Sequence, residues 1–332
     1  MDLVVNGGPS QTLSDGASIT SHDYLPWLLR DFVFWRDIRK LNRKSGVRVV
    51  QIQNSLLLLT GLLCKMSGFR VIFDAIVVES DFWKAFSSLS IRVLLGRLLL
   101  PVAERILVSI SDETIALSDE DARRLEKLHH RSPGGVRTIP LSILSFPAAS
   151  PSSDKATRAR PNVLFVGAYS HPPNKDAIDI IVREIRPRVL REQPDAVFTV
   201  VGRGLPVEAL RLAGLDAHAN VPSVFPFIDL ASVCIAPILI GSGVRTKVLE
   251  YVSRGKPVVA TPVAISGMNF EPNVDLLVAN DYDAFARAVV AVLQDPVLRE
   301  AVGAAGLRRF TRLAGAASRS DALKTVYGTN VL

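Results

Sequence analysis

The stretch PILIGSGVRTKVLEYVSRGKPVVAT, Pro237 to Thr261, decides how the chain is read. Ile238 to Ile240 close an apolar run that begins near Val233, and Gly241, Ser242 and Gly243 break it. Val244, Lys247, Val248, Tyr251 and Val252 then recur at three- and four-residue steps, the period of a helix with one apolar face. Gly255 ends that helix, Pro257 stops it from resuming, and Val258 to Ala260 read as the next buried strand. A glycine turn that feeds a helix N-terminus aims backbone N–H groups and the positive end of the helix dipole at one spot, which suits a phosphate. Arg245 and Lys247 put cations into that first turn, where they oppose the dipole. An anionic ligand would remove the conflict. Glu250 offers a carboxylate able to accept two hydroxyl hydrogen bonds, as a ribose would require. On spacing alone, an ordinary strand–turn–helix with two solvated bases remains the alternative.

Outward from this stretch, the second half repeats the pattern. Strands are expected at Val163–Val166, Ala196–Val201 and Val233–Pro237, with helices from about Asp176 to Glu192, Pro206 to Ala213, Asp281 to Leu293 and Val297 to Phe310, and a further helix beyond Ala314. Gly167 follows the first of these strands, and Gly202-Arg203-Gly204 the second. The first half is expected to hold strands at Asp2–Val5, Val47–Ile52, Arg70–Phe73, Thr114–Leu117 and Val136–Ile139. Its helices are expected over Tyr24–Leu41, Leu56–Ser67 and a run opened by Ser118 as N-cap. Strand–helix–strand alternation implies parallel sheets with crossover helices. Ser87 to Ser109 is leucine-rich and basic, with Pro101 dividing it. A helix pair packed in the core is the preferred reading, and an amphipathic face on anionic lipid the other.

The fold class is therefore α/β, with two Rossmann-like doubly wound parallel-sheet domains. The expected division is 1–150, 151–310 and a C-terminal helix and tail at 311–332 packing back on the first domain, with a Pro- and Ser-rich linker over Ser145–Arg160. At 332 residues both domains can bury a core, and 48% hydrophobic with 21% charged residues excludes a disordered chain. A formal charge of +7 favours phosphorylated ligands or an anionic membrane surface. No basic run interleaved with aromatics points to nucleic acid. Cys64 and Cys234 sit among apolar residues and read as buried thiols of a reducing compartment, and no signal peptide or membrane span is expected. A cytoplasmic location, peripheral to the inner membrane face, follows as the expectation.

Several pieces, in order and spacing, resemble the GT-B glycosyltransferases of family 4 (group 1). They are Phe165-Val166-Gly167, Pro172-Pro173-Asn174-Lys175-Asp176-Ala177, Val200-Val201-Gly202-Arg203, Ala236-Pro237, Gly241 to Glu250, Gly255 to Thr261, Leu276 to Ala279 and Asp295-Pro296. The resemblance implies a nucleotide-sugar donor, a saccharide or lipid-linked acceptor, retention of configuration, no metal or other cofactor, and a setting in cell-envelope polysaccharide synthesis. It implies that Arg245 and Lys247 stabilise the leaving diphosphate, with the backbone of Gly243, Val244 and Thr246 beside it and Gly167 and the loop to Lys175 facing it. Gly202 and Arg203 would lie near the base. Glu250 would correspond to the second glutamate of the family's glutamate pair and hold the ribose hydroxyls, while Ser242 stands at the first.

The first half resembles the family only in patches, and its domain is expected to be shortened, with no strand and glycine loop read ahead of Leu3. Ile76 stands where the family carries a histidine near the reacting sugar, and Pro140-Leu141-Ser142 replaces its Pro-Asn-Gly. Asp74 and Glu79 are acceptor-side candidates. Among the histidines, His171 can reach the cleft, and His129-His130 are expected in solvent. Sugar transfer is the leading reading. The others are a nucleotide-sugar-binding partner without turnover and an epimerase, which lacks a clear acid/base pair. A dehydrogenase fails for want of G-x-G-x-x-G after the first strand.

Overall fold

A computed structural model describes residues 3–5, 11–12, 18–19, 27–46, 48–83, 91–139, 160–241, 243–315 and 325–327. The chain divides into two compact units. One comprises Met1–Leu141, Ser242–Val244 and Ala317–Leu332, the other Ser142–Gly241 and Arg245–Ala316. The expected linker, except Arg160, lies outside the described residues, as does Pro140-Leu141-Ser142.

The first unit contains β1 (Leu3–Val5), β2 (Gln11–Thr12), β3 (Ser18–Ile19), β4 (Val49–Ile52), β5 (Arg70–Ala75), β6 (Glu113–Ala116) and β7 (Arg137–Thr138). β1-β4-β5-β6-β7 form an all-parallel sheet, and β2 and β3 an antiparallel pair. Its helices are α1 (Trp27–Ser45), α2 (Leu58–Met66), α3 (Glu79–Phe82), α4 (Ile91–Ile110) and α5 (Asp119–His129). Strand alternation sorts the side chains between the two faces of the sheet. Val50, Ile52, Val71, Phe73, Ala75 and Ala116 pack with Phe34 and Ile38 of α1, Cys64 of α2, Leu107 and Val108 of α4 and Leu125 of α5. Val49, Ile72 and Ile115 point the other way, to Ile139 and Val326. Ser118 caps α5, its hydroxyl accepting Asp121 N–H at 3.0 Å.

Two expectations for this unit need correction. Pro101 does not divide its segment: α4 runs unbroken through it for 20 residues. A proline costs a helix one internal hydrogen bond, and here the buried Leu100, Ala103, Leu107 and Val108 hold the helix on the sheet regardless. The preferred reading of that segment as a helix pair packed in the core also fails, because four of the six leucines of α4 face solvent.

The second unit contains β8 (Asn162–Val166), β9 (Val197–Gly202), β10 (Asp216–Ala219), β11 (Val233–Ala236), β12 (Val258–Ala260) and β13 (Leu277–Val278), all parallel in the order β10-β9-β8-β11-β12-β13. Its helices are α6 (Pro172–Ile180), α7 (Arg186–Glu192), α8 (Val207–Leu212), α9 (Phe225–Leu230), α10 (Thr246–Ser253), α11 (Pro262–Ile265), α12 (Tyr282–Gln294) and α13 (Pro296–Gly315). A π turn, Ile181–Ile185, joins α6 to α7. The helix begins four residues before the expected Asp176 because Pro172 and Pro173 occupy its first turn, where a missing N–H costs nothing. Strand order reverses direction between β8 and β11. The carboxyl ends of strands at such a switch point form the usual ligand crevice. Both units are thus α/β with parallel sheets; the second is doubly wound, whereas the described strands of the first unit's parallel sheet follow one another in sequence order, with α1, α2, α4 and α5 on one face.

Candidate nucleotide site

The switch point is built by main-chain approach. Past the end of β8 the ladder continues: Gly167 N–H bonds Val201 O and Tyr169 N–H bonds Arg203 O, both at 2.9 Å. Gly202 lies between these rungs, and a Cβ on it would stand 1.9 Å from Gly167 O. On the other side β8 meets β11 only at Val163–Val233 and Leu164–Cys234. Beyond that the fully buried Tyr251 of α10 takes over, its hydroxyl accepting Val166 N–H at 2.7 Å. The same residue that anchors the apolar face of α10 therefore completes the sheet and aims the helix N-terminus at the Gly167 loop.

α10 starts where expected. Gly241 and Gly243 take φ of 125° and 81°, conformations that glycine adopts without steric cost. Arg245 is the N-cap residue. Its guanidinium folds back over Gly241, near Pro173 of α6. Lys247 lies one residue into the helix. Its Nζ donates to Asn174 Oδ1 at 2.5 Å and sits 4.2 Å from the centre of the Phe165 ring. Asn174 is buried and donates its amide to Ala168 O at 2.9 Å, so one side chain ties the lysine to the loop after β8. Asn174 carries no assigned task in the sequence; its position in the first turn of a helix opened by Pro172-Pro173 was the available signal.

The electrostatics are those of a site holding excess positive charge. Burial pushes the Lys247 ammonium down to about 7, the neighbouring Arg245 adds to the fall, and Glu250 opposes it. The His171 imidazole is lowered by burial and then by Lys247 and Arg245. Glu250 is raised by burial, with Lys247 opposing. Arg245 and Lys247 thus disfavour a further positive charge on His171, and Arg245 one on Lys247, with the Glu250 carboxylate among them.

The structure brings Gly167, His171, Gly202, Arg245, Lys247 and Glu250 to the β8/β11 switch point or the adjoining first turns of α10. Lys175 is exposed on α6, with Nζ 5.8 Å from the Tyr169 ring centre. Arg203 and Thr246 are exposed, and Val244 is half-buried. Ser242 lies outside the described residues.

In the first unit, Asp74 and Glu79 are both buried. Asp74 Oδ2 accepts from Gln51 at 2.5 Å and Gln53 at 3.2 Å. Glu79 accepts Ser55 N–H at 3.1 Å, while its own N–H bonds Glu104 Oε1 at 2.8 Å. Glu104, fully buried, also pairs with His129 Nε2 at 3.0 Å. His129 is therefore a buried partner of a carboxylate, not the solvated side chain expected. A carboxylate inside a sheet-packed helix needs a donor, and the last turn of α5 supplies it.

Burial raises the Glu79 carboxyl to about 7, with hydrogen bonds from Ser55 lowering it and Glu104 raising it. Between the ordinary value of 4.5 and about 7 the folded chain then holds a proton that the unfolded chain releases. Stability contributed by neutral Glu79 is full below 4.5 and declines as pH rises through 7. Glu79→Gln is expected to unfold like the parent at pH 4.5 and to be more stable than it at pH 8, by up to about 3 kcal/mol. Urea midpoints at the two pH values test this; an equal difference at both would remove the proton from the account.

Residues 160–295 match the family described as "Glycosyl transferases group 1". A 193-residue alignment, 25% identical, links 52% of the chain to 49% of a GDP-mannose-dependent monoacylated alpha-(1-6)-phosphatidylinositol monomannoside mannosyltransferase from Corynebacterium glutamicum. A 143-residue alignment, 27% identical, links 39% of the chain to 36% of an uncharacterized 44.6 kDa protein in the cps region of Klebsiella pneumoniae. The matches thus span about half or less of these relatives. Among solved structures, sucrose-phosphate synthase from Thermosynechococcus elongatus superposes with TM-score 0.74 at 16% identity, over 98% of this chain and 88% of that one. HepE of Anabaena in complex with UDP superposes with TM-score 0.67 at 12% identity, over 89% and 81%. At these identities the likeness carries the fold, which is GT-B.

Proposed function

We propose that this chain, which has the GT-B fold and carries a group 1 glycosyl transferase domain over residues 160–295, moves a sugar from a nucleoside-diphosphate donor to a hydroxyl of a saccharide or lipid-linked acceptor. The observation that carries the reading is the cation cluster. Arg245 beside Lys247, and both beside His171, weaken the hold of Lys247 and His171 on their protons, a cost that a bound diphosphate would relieve. The chemistry follows from that charge. As the anomeric C–O bond breaks, its electron pair passes to the β-phosphate oxygen, and Arg245 and Lys247 stabilise the charge with no metal assigned to the task. The acceptor oxygen bonds to the anomeric carbon from the same face, and its proton passes to the departing phosphate. Configuration is retained, and no carboxylate acts as nucleophile. Glu250 receives the ribose hydroxyls. Gly167 and Gly202, having no side chains, let the ends of β8 and β9 and the buried Asn174 close on one another beneath the nucleotide. The mannosyltransferase relative and the UDP bound by HepE support a donor of this class.

Calorimetry with a panel of nucleotide sugars, followed by transfer assays with the best binder, tests the proposal. Glu250→Ala is expected to weaken nucleotide binding about tenfold or more through loss of hydrogen bonds to a charged acceptor, with folding intact. Unchanged affinity would remove Glu250 from the site. One observation favours a second reading. The loop after β5 carries a partly exposed Ile76 where a histidine would face the reacting sugar. A donor-binding partner without turnover would bind in calorimetry and transfer nothing.

A further inference from the structure

We infer that the outer face of α4 in the first unit docks on an anionic membrane surface. Leu94, Leu98 and Val102 form one row at four-residue spacing, and Leu95 and Leu99 lie beside it. All five are 46–68% exposed, on the side of the helix opposite the buried Leu100, Ala103, Leu107 and Val108. Five adjacent aliphatic side chains on one helix face are far from the scattered apolar exposure of an ordinary surface.

Charge selects the occupant. The exposed Arg105 continues this face one turn beyond Val102. The helix's acid, Glu104, is fully buried against His129 and Ser80. α1 and α4 both pack on α2 and on the same side of the sheet. α1 adds exposed Arg36, Arg39, Lys40, Arg43 and Lys44, against Asp31, which is buried, and Asp37, which pairs with Arg36 and Lys40. An apolar ridge that ends in Arg105, on the sheet face that also carries the basic α1, suits lipid headgroups over acyl chains. A second copy of the same cationic face would be repelled. No helix among the described residues is long and apolar enough to cross a membrane, so the contact lies in the interface plane. The inference stands apart from sugar transfer, and its assay reads lipid alone.

The test sediments the full chain with vesicles of phosphatidylcholine alone or mixed with phosphatidylglycerol, at low and high salt, beside a Leu98→Gln/Leu99→Gln double variant. The expected result is binding to the anionic vesicles, weakened by salt, and at least about tenfold weaker for the variant. Because both leucines are exposed, the variant should keep the parent's circular dichroism and urea midpoint. Folded parent that ignores anionic vesicles at low salt would overturn the inference, as would equal binding by the variant. So would a parent that dimerises through this face, with a monomeric variant and no lipid binding by either.

Discussion

Lys247→Ala is expected to lower kcat by about a hundred- to a thousandfold, the usual cost of removing one preorganised stabiliser of developing charge, while nucleoside affinity changes little. The magnitude follows from how the lysine is held. Its Nζ is fixed between Asn174 Oδ1 and the Phe165 ring, so no reorganisation is needed when charge appears on the leaving phosphate. The same placement predicts a pH signature. Lys247 titrates near 7 in the free protein, and an anion restores its proton. Diphosphate binding above pH 7 should take up a proton, seen as a dependence of binding enthalpy on the buffer, and Lys247→Ala should abolish it. Linkage gives the opposite trend for folding. From about 7 to the ordinary 10.5 the unfolded chain binds the extra proton, so the burdened lysine destabilises most below 7 and less as pH rises. Lys247→Met should therefore be more stable than the parent at pH 7, although its kcat falls as that of Lys247→Ala does. A variant with full kcat, or one destabilised at pH 7, would contradict this account.

Gly202→Ala is expected to destabilise the chain by about 3 kcal/mol or more, beyond the usual range for a one-carbon change. Its Cβ would lie 1.9 Å from Gly167 O and 2.7 Å from Gly167 C. Both are main-chain atoms, held by rungs at Gly167 N–H and Tyr169 N–H on either side, so no rotamer relieves the clash. Relief requires prying the Gly167 loop from the end of β9, which would also displace Asn174 and through it Lys247. Urea unfolding and nucleotide calorimetry should fall together. A parent-like midpoint with parent-like binding would mean that the strands do not approach as described.

The site was legible where local chemistry marks it. Gly241, Gly243 and Gly255 take positive φ, and Arg245 and Lys247 stand at a helix start where cations are otherwise unwelcome. What escaped were tasks that join distant segments. Asn174 meets Lys247 across 73 positions, and Tyr251 meets Val166 across 85. His129 looked solvated because its partner Glu104 comes from another helix, 25 residues earlier. α4 misled twice, since a leucine-rich segment with proline suggested two buried helices and folding produced one helix with an apolar outer face.

By itself the sequence determined the alternation of strands and helices, the parallel sheets, the glycine turn and its cations, because period, punctuation and charge act over a few residues. The tertiary structure decided which strands are neighbours, the near contact of Gly167 with Gly202, the bracing of Lys247 and which leucines stay outside. Those depend on what two remote surfaces leave uncovered when they pack, and burial then decides what each charge costs.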